Sequence, residues 1–170
     1  MGKEVEMDFL VRKAKKHDKE AFQALMLQYG PELYKVAKAI LKNDDDVSDA
    51  MQETALTCWE KIDTLQKDKY FKTWLTRILI NHCNAIYRQR KRTVPGEARE
   101  AFYQEDEFLS LEWREFLECL DEKYRTIVLL YYVQGFTTRE IAAILDTNES
   151  TVRSRMSAAR HKLRREFSYE

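Results

Sequence analysis

The stretch from Gly135 to Arg165, GFTTREIAAILDTNESTVRSRMSAARHKLRR, constrains this chain more than any other. Thr137 stands three residues ahead of Glu140, the spacing at which hydroxyl and carboxylate each accept the other's backbone N–H at a helix N-terminus. A short helix therefore opens near Thr137, with Ile141, Ala142, Ile144 and Leu145 at helical spacing. Asp146-Thr147-Asn148 then supplies a tight polar turn and a new N-cap. In the second helix, beginning near Asn148 to Thr151, Val152, Met156, Ala159, Leu163 and Phe167 draw one apolar stripe that must face a core. The opposite face carries Ser150, Ser154, Ser157, Ala158, His161 and Arg165, with Arg153, Arg164, Arg155 and Lys162 on its shoulders. Small residues that permit close approach, flanked by cations, suit a major groove: the flanks hold phosphates while the tip reads base edges. The plainer alternative, a basic surface helix, leaves the capped partner helix and the tight turn without a purpose.

The remaining sequence points to an all-α fold. Only four Gly and two Pro occur in 170 residues, and no strand-like alternation competes with the helical periods. Asp8 caps a first short helix bearing Leu10, Val11 and Ala14, and Asp18 caps a second that runs to Gly30-Pro31, where a break or kink is expected. A helix from about Glu32 to Leu41 follows, and Asn43 to Asp46 cap the next, Val47 to Ile62, with Val47, Met51, Ala55, Trp59 and Ile62 inward. On its other faces Asp49, Gln52, Glu53 and Glu60 read equally as a solvated surface or as a polar docking surface for a large partner. Phe71, Trp74, Leu75, Ile78, Leu79, His82 and Ile86 form the longest regular pattern, ending in Arg88, Arg90, Lys91 and Arg92. Cations at a helix C-terminus complement its dipole, but four in five residues, with Tyr70, Lys72 and Tyr87 nearby, exceed that need. Basic residues interleaved with aromatics fit a surface that holds a nucleic-acid backbone and stacks unpaired bases. Most of Phe71 and Trp74 is nevertheless expected in the core.

Thr93 to Asp106, TVPGEAREAFYQED, interrupts the helical pattern and turns acidic, as a linker does. Helical pattern resumes near Phe108 and closes at Gly135, a C′ glycine. The net charge of zero hides blocks: residues 67–92 carry eight Lys/Arg against one acid, 93–121 two against nine, and 151–170 six against two. Two basic surfaces joined by a repelling connector are what two nucleic-acid-facing domains require. Cys58, Cys83 and Cys119 are odd in number and widely spaced, which fits core residues in a reducing cytoplasm rather than a metal site. No metal and no cofactor is indicated. The first residues, MGKEVEMDF, lack a signal-peptide run, and no stretch is long and apolar enough to span a membrane, so a cytoplasmic location is expected.

These segments resemble a known family. DEKYRTIVLLYYVQGFTTREIAAILDTNESTVRSRMSAARHKLR is similar to the promoter-reading C-terminal domain of bacterial sigma factors. DAMQETALTCWEKI, followed by FKTWLTRILINHCNAIYRQRKR, resembles their N-terminal conserved domain, and the brevity of the whole is most similar to the extracytoplasmic-function group. The resemblance implies two small helical domains, 1–92 and 107–170, joined by an acidic linker, 93–106, that mimics nucleic acid in the polymerase channel. It implies a non-enzymatic specificity subunit with core RNA polymerase and promoter DNA as partners and no small-molecule substrate. An anti-sigma protein, often membrane-bound in this family, is implied as a further partner. By the same resemblance Asp49, Gln52 and Glu53 dock on core polymerase, and Trp74, Asn81, Arg88, Arg90, Lys91 and Arg92 engage and open the minus-ten element. Thr151, Arg153, Ser154 and Arg155 begin the minus-thirty-five recognition helix. Ala55, Ala85, Asp121, Ser150 and Ala158 depart from the family pattern, and Ala158 removes a frequent arginine from the recognition helix. The competing readings are a duplex-binding regulator that uses only the helix-turn-helix, with the first 92 residues as sensor or dimerisation module, and a helical adaptor without a DNA role.

Overall fold

The computed structural model describes residues 2–93 and 111–168, and every regular element among them is helical. The N-terminal half comprises α1 (Gly2–Ala14), α2 (Lys19–Ile40), α3 (Asp44–Lys61) and α4 (Phe71–Thr93). The C-terminal half comprises α5 (Leu111–Glu118), α6 (Glu122–Val128), α7 (Thr138–Ile144) and α8 (Glu149–Phe167). The linker expected over 93–106 lies, beyond Thr93, outside the described residues.

Local chemistry sets the starts of α2, α3, α7 and α8. The Asp18 carboxylate accepts from Ala21 N at 2.9 Å, and Asn43 Oδ1 accepts from Asp45 N and Asp46 N at 2.9 and 3.2 Å. Thr137 N donates to Glu140 Oε2 at 2.8 Å while Glu140 N donates to Thr137 Oγ1 at 3.2 Å, completing the capping box. Asn148 Oδ1 accepts from Thr151 N at 2.8 Å and starts α8. A π-turn, Leu129–Val133, continues α6, and Gly135 closes it at φ +74°, where Phe136 N reaches back to Leu130 O at 3.0 Å.

Three expectations are corrected. Helix α1 begins at Gly2 rather than at Asp8, with Glu4 complementing the dipole in its first turn and Val11 and Ala14 anchoring it in the core. Helix α2 runs unbroken through Gly30-Pro31. Proline removes the N–H that would bond Leu27 O, but Leu27 and Pro31 both face solvent, so water reaches that carbonyl, and buried Leu25, Leu33 and Val36 hold both sides of the site. Helix α3 is rolled relative to the expected stripe: Val47, Ala50, Thr54 and Cys58 are buried, whereas Met51, Ala55 and Trp59 are half-buried. Small residues at 50, 54 and 58 let α3 lie close against α4, and Thr54 Oγ1 hides its polarity by donating to Ala50 O at 2.6 Å.

One buried apolar cluster extends across both halves, from Leu25, Leu75 and Leu79 to Ile127, Leu130, Ile141 and Val152. Helix α6 packs on α2, and α7 packs on α4. Polar contacts stitch the seam. Lys72 Nζ pairs with Glu32 at 3.0 Å, donates to Gln134 O at 3.1 Å and lies 5.0 Å from the centre of the Phe136 ring. Gln134 Nε2 donates to Glu32 O at 3.3 Å. The buried Arg125 guanidinium donates to Leu117 O, Leu120 O and, across the seam, Ala39 O, at 3.0, 2.9 and 3.4 Å. Tyr87 of α4 and Glu122 of α6 face each other across the seam, and burial pushes both groups' pKa values up.

Cys58 and Cys83 are fully buried, and burial pushes both thiols up to about 12. Because the thiolate is the nucleophile, alkylation of the native protein at about pH 8 should leave both unmodified while half-buried Cys119 reacts first. Peptide mass mapping checks this; modification of Cys58 or Cys83 at the rate of Cys119 would show instead that α3 and α4 part locally.

Candidate nucleic-acid interface

Helix α4 buries Phe71, Leu75, Leu79 and Cys83, which turns Arg77, Asn81, Ala85, Arg88 and Arg92 outward as one exposed stripe. Trp74 stands at the upstream end of that stripe, half-buried, its ring centroid 6.0 Å from that of Phe71. Trp74, Asn81, Arg88 and Arg92 therefore share one face. Lys91 sits to the side, its ammonium 5.9 Å from the Tyr87 ring centre. Arg90 turns the opposite way: Nη2 donates to Asp46 Oδ1 at 3.0 Å and Nε pairs with Oδ2 of the same carboxylate, which is largely buried. That bidentate pair ties the end of α4 to the start of α3. Arg77, not singled out from the sequence, belongs to the α4 stripe and lies 3.7 Å from Asp146 in the turn of the helix-turn-helix. Its signal was positional: it stands four residues before Asn81 and eleven before Arg88.

In the second basic element, α8, Val152, Met156, Ala159 and Leu163 are buried. This leaves Ser154, Ser157, Ala158, His161 and Arg165 exposed on the crest, Arg153, Arg160 and Arg164 on one shoulder, and half-buried Thr151, Arg155 and Lys162 on the other. The turn before α8 bends at Asp146, φ +51°, a left-handed conformation that aspartate tolerates. Asn148 Oδ1 collects the hydroxyls of Ser150 and Thr151 at 2.7 and 2.8 Å, and Ser154 Oγ donates to Thr151 O at 3.0 Å. Arg160 Nε donates to the Tyr132 hydroxyl at 3.0 Å, and Lys162 Nζ lies 3.8 Å from Asp121. Arg153 Nη2 pairs with Glu149 Oε1 at 2.7 Å. The carboxyl group of Glu149 is held below its usual range by the Thr138 hydrogen bond first and by Arg153 after it. The helix thus offers a crest that is small at Ser154, Ser157 and Ala158, with guanidinium groups on both sides, a shape that fits a groove and a charge that fits its walls.

A third surface lies on α3. Asp49, Gln52 and Glu53 are all exposed, on one stripe that Glu60 continues. At its centre is Leu56, an apolar side chain left 57% exposed among acids. Sequence reasoning passed over Leu56, although it falls three, four and seven residues after Glu53, Gln52 and Asp49, on the same face of a helix. A lone leucine ringed by polar side chains has the makeup of a protein contact with a small apolar centre and a wet rim.

Comparison with known proteins identifies the family to which these helices belong. Residues 25–93 match the family described as Sigma-70 region 2, and residues 110–163 match Sigma-70, region 4. The RNA polymerase sigma factor NccH of Alcaligenes xylosoxydans xylosoxydans is 30% identical, over 91% of this chain and 90% of its own. The ECF RNA polymerase sigma-E factor of Escherichia coli K12 is 29% identical, over 96% and 95%. Among solved structures, the sigma factor RpoE of Bartonella quintana, crystallised with the anti-sigma factor NepR, superposes with a TM-score of 0.74 at 26% identity, over 87% of this chain and 98% of that one. Two matched regions in sequence order, near full-length relatives and a shared fold converge on one assignment: the chain belongs to the extracytoplasmic-function group of sigma factors, the subunits that give RNA polymerase its promoter specificity.

Proposed function

We propose that this factor docks on core RNA polymerase through the α3 stripe of Asp49, Gln52, Glu53 and Leu56 and reads promoters with two separate helices. In this reading residues 1–92 form the docking and minus-ten domain, 93–106 an acidic connector, and 107–170 the minus-thirty-five domain. The α4 stripe of Trp74, Asn81, Arg88 and Arg92, with Lys91 beside it, captures the opened minus-ten strand; Thr151, Arg153, Ser154 and Arg155 present α8 to the minus-thirty-five duplex. The observation that carries the reading is two basic, outward-facing helical surfaces on one chain whose third exposed face is acidic with an apolar centre. Capturing unstacked bases and neutralising phosphates offsets an unstacking cost of a few kcal/mol per step, so strand opening needs no catalytic group in this protein. The factor works in the cytoplasm, where core polymerase is. Because the Bartonella quintana relative is held by NepR, an anti-sigma protein is the expected regulator here.

The decisive experiment is run-off transcription with purified core polymerase on fragments of the source genome, with and without the protein. Discrete transcripts that depend on it are expected, and their start sites give both promoter elements. Specific duplex binding by the protein alone, without such transcripts, would favour a regulator instead. The docking face has its own test. Leu56→Arg, at an exposed position, should leave the melting temperature unchanged and weaken core binding about tenfold or more. Unchanged affinity in a fluorescence-anisotropy titration with core would remove Leu56 from the interface.

A further inference from the structure

We infer that Glu149 is a positioning residue for minus-thirty-five recognition, holding the Arg153 guanidinium in the pose from which it reads DNA; the inference rests on the role proposed above for α8. A single carboxylate oxygen of Glu149, Oε1, accepts from Arg153 Nη2 at 2.7 Å and from Thr138 Oγ1 at 2.7 Å. Thr138 is the first residue of α7, so the group that steers Arg153 is itself fixed by the other helix of the helix-turn-helix. An exposed ion pair one helical turn apart adds little stability. Its effect here is on geometry. Arg153 is 68% exposed along its side chain, and an untethered arginine at such a site samples many rotamers that binding must freeze. Tethered through Nη2, the guanidinium keeps its other N–H donors for a two-pronged contact with guanine N7 and O6.

The charge of Glu149 adds a second effect. A carboxylate near the tip of a groove-binding helix repels phosphates unless a cation stays paired with it. Docking modes in which Arg153 swings away to a phosphate take from Glu149 its ion-pair partner and leave only the field of Arg139 beside it, so they are disfavoured. Glu149 thereby acts against non-specific binding as well as for the specific pose. A purely structural role, as an acid in the first turn of α8, makes a different forecast: altered melting with base preference intact.

The test uses holoenzyme reconstituted with full-length wild-type factor, Glu149→Gln, Thr138→Val, Arg153→Ala and the Glu149→Gln/Arg153→Ala pair. Binding is measured at fixed salt to a duplex library randomised over the minus-thirty-five element and to promoter-free duplex, with a thermal melt of each factor alongside. Glu149→Gln should lower discrimination, at the bases whose preference Arg153→Ala abolishes, by about five- to tenfold. It should also raise affinity for promoter-free DNA. Thr138→Val should move discrimination in the same direction by less, and the pair should discriminate no worse than Arg153→Ala alone. Intact preference in Glu149→Gln, where Arg153→Ala has lost it, overturns the inference while leaving α8 as the reader. Additive losses in the pair overturn it too, since Glu149 would then act independently of Arg153. If Arg153→Ala leaves every base preference unchanged, the base-reading role of Arg153 fails first and the inference falls with it.

Discussion

Methionine in place of Arg125 should lower the unfolding free energy by about 2–4 kcal/mol, read as a fall in urea midpoint at unchanged slope. The guanidinium serves Leu117 O and Leu120 O at the end of α5 and Ala39 O near the end of α2, so its loss removes donors from three carbonyls in a water-poor seam. Hydrogen bonds to a charged group contribute about 1.5–3 kcal/mol each, but burial also penalises the charge itself, which is why its pKa is pulled down, and the net falls below the sum. Lysine should not rescue the protein, because one ammonium cannot reproduce a planar fork that reaches separate carbonyls. A loss under about 1 kcal/mol would mean that water replaces the guanidinium at little cost.

Neutralising Arg88, Lys91 and Arg92 together should reduce open-complex formation on the order of a hundredfold near 0.1 M salt, with core affinity intact. Each phosphate contact to a single strand adds about 0.7 to the slope of log affinity against log salt, so three lost contacts flatten it by about 2. The deficit should therefore shrink as salt rises. Arg90 is left in place because its partner Asp46 is buried, and removing the cation would strand that carboxylate and confuse a folding defect with a binding one. An unchanged salt slope, or an equal loss of core affinity, would count against α4 as the strand-holding surface.

What the sequence made legible was local. Asp18, Asn43, the Thr137–Glu140 box, Asn148 and Gly135 act through hydrogen bonds or backbone freedom within a few residues, and each stands where its residue type predicted. The α8 stripe was legible over Val152, Met156, Ala159 and Leu163, which separate cleanly by angle from the cations, whereas Phe167, expected to continue it, is exposed at the helix end. Pro31 misled because the local rule weighs a lost hydrogen bond without knowing which way the orphaned carbonyl faces. The roll of α3 was hidden because Ala50, Thr54 and Cys58 carry little hydrophobic signal, while close approach to α4 rewards small size. Arg90 looked like one of a run of equivalent cations, and only the fold distinguishes it by bringing Asp46 beside it from 44 residues away. The roles proposed for Leu56 and Glu149 escape periodicity for a related reason: each depends on what surrounds an exposed side chain.

The apolar cluster that runs without interruption from α2 and α4 into α6, α7 and α8 also sets how this protein responds to heat. Two halves that shared only a tether would melt as two events, each with its own small enthalpy. Sharing buried surface should make them a single cooperative unit, with calorimetric and van't Hoff enthalpies that coincide. Drawing the halves apart then means wetting hydrocarbon, with the positive heat-capacity change that accompanies it, so the free energy of any such separation curves with temperature instead of rising in a straight line.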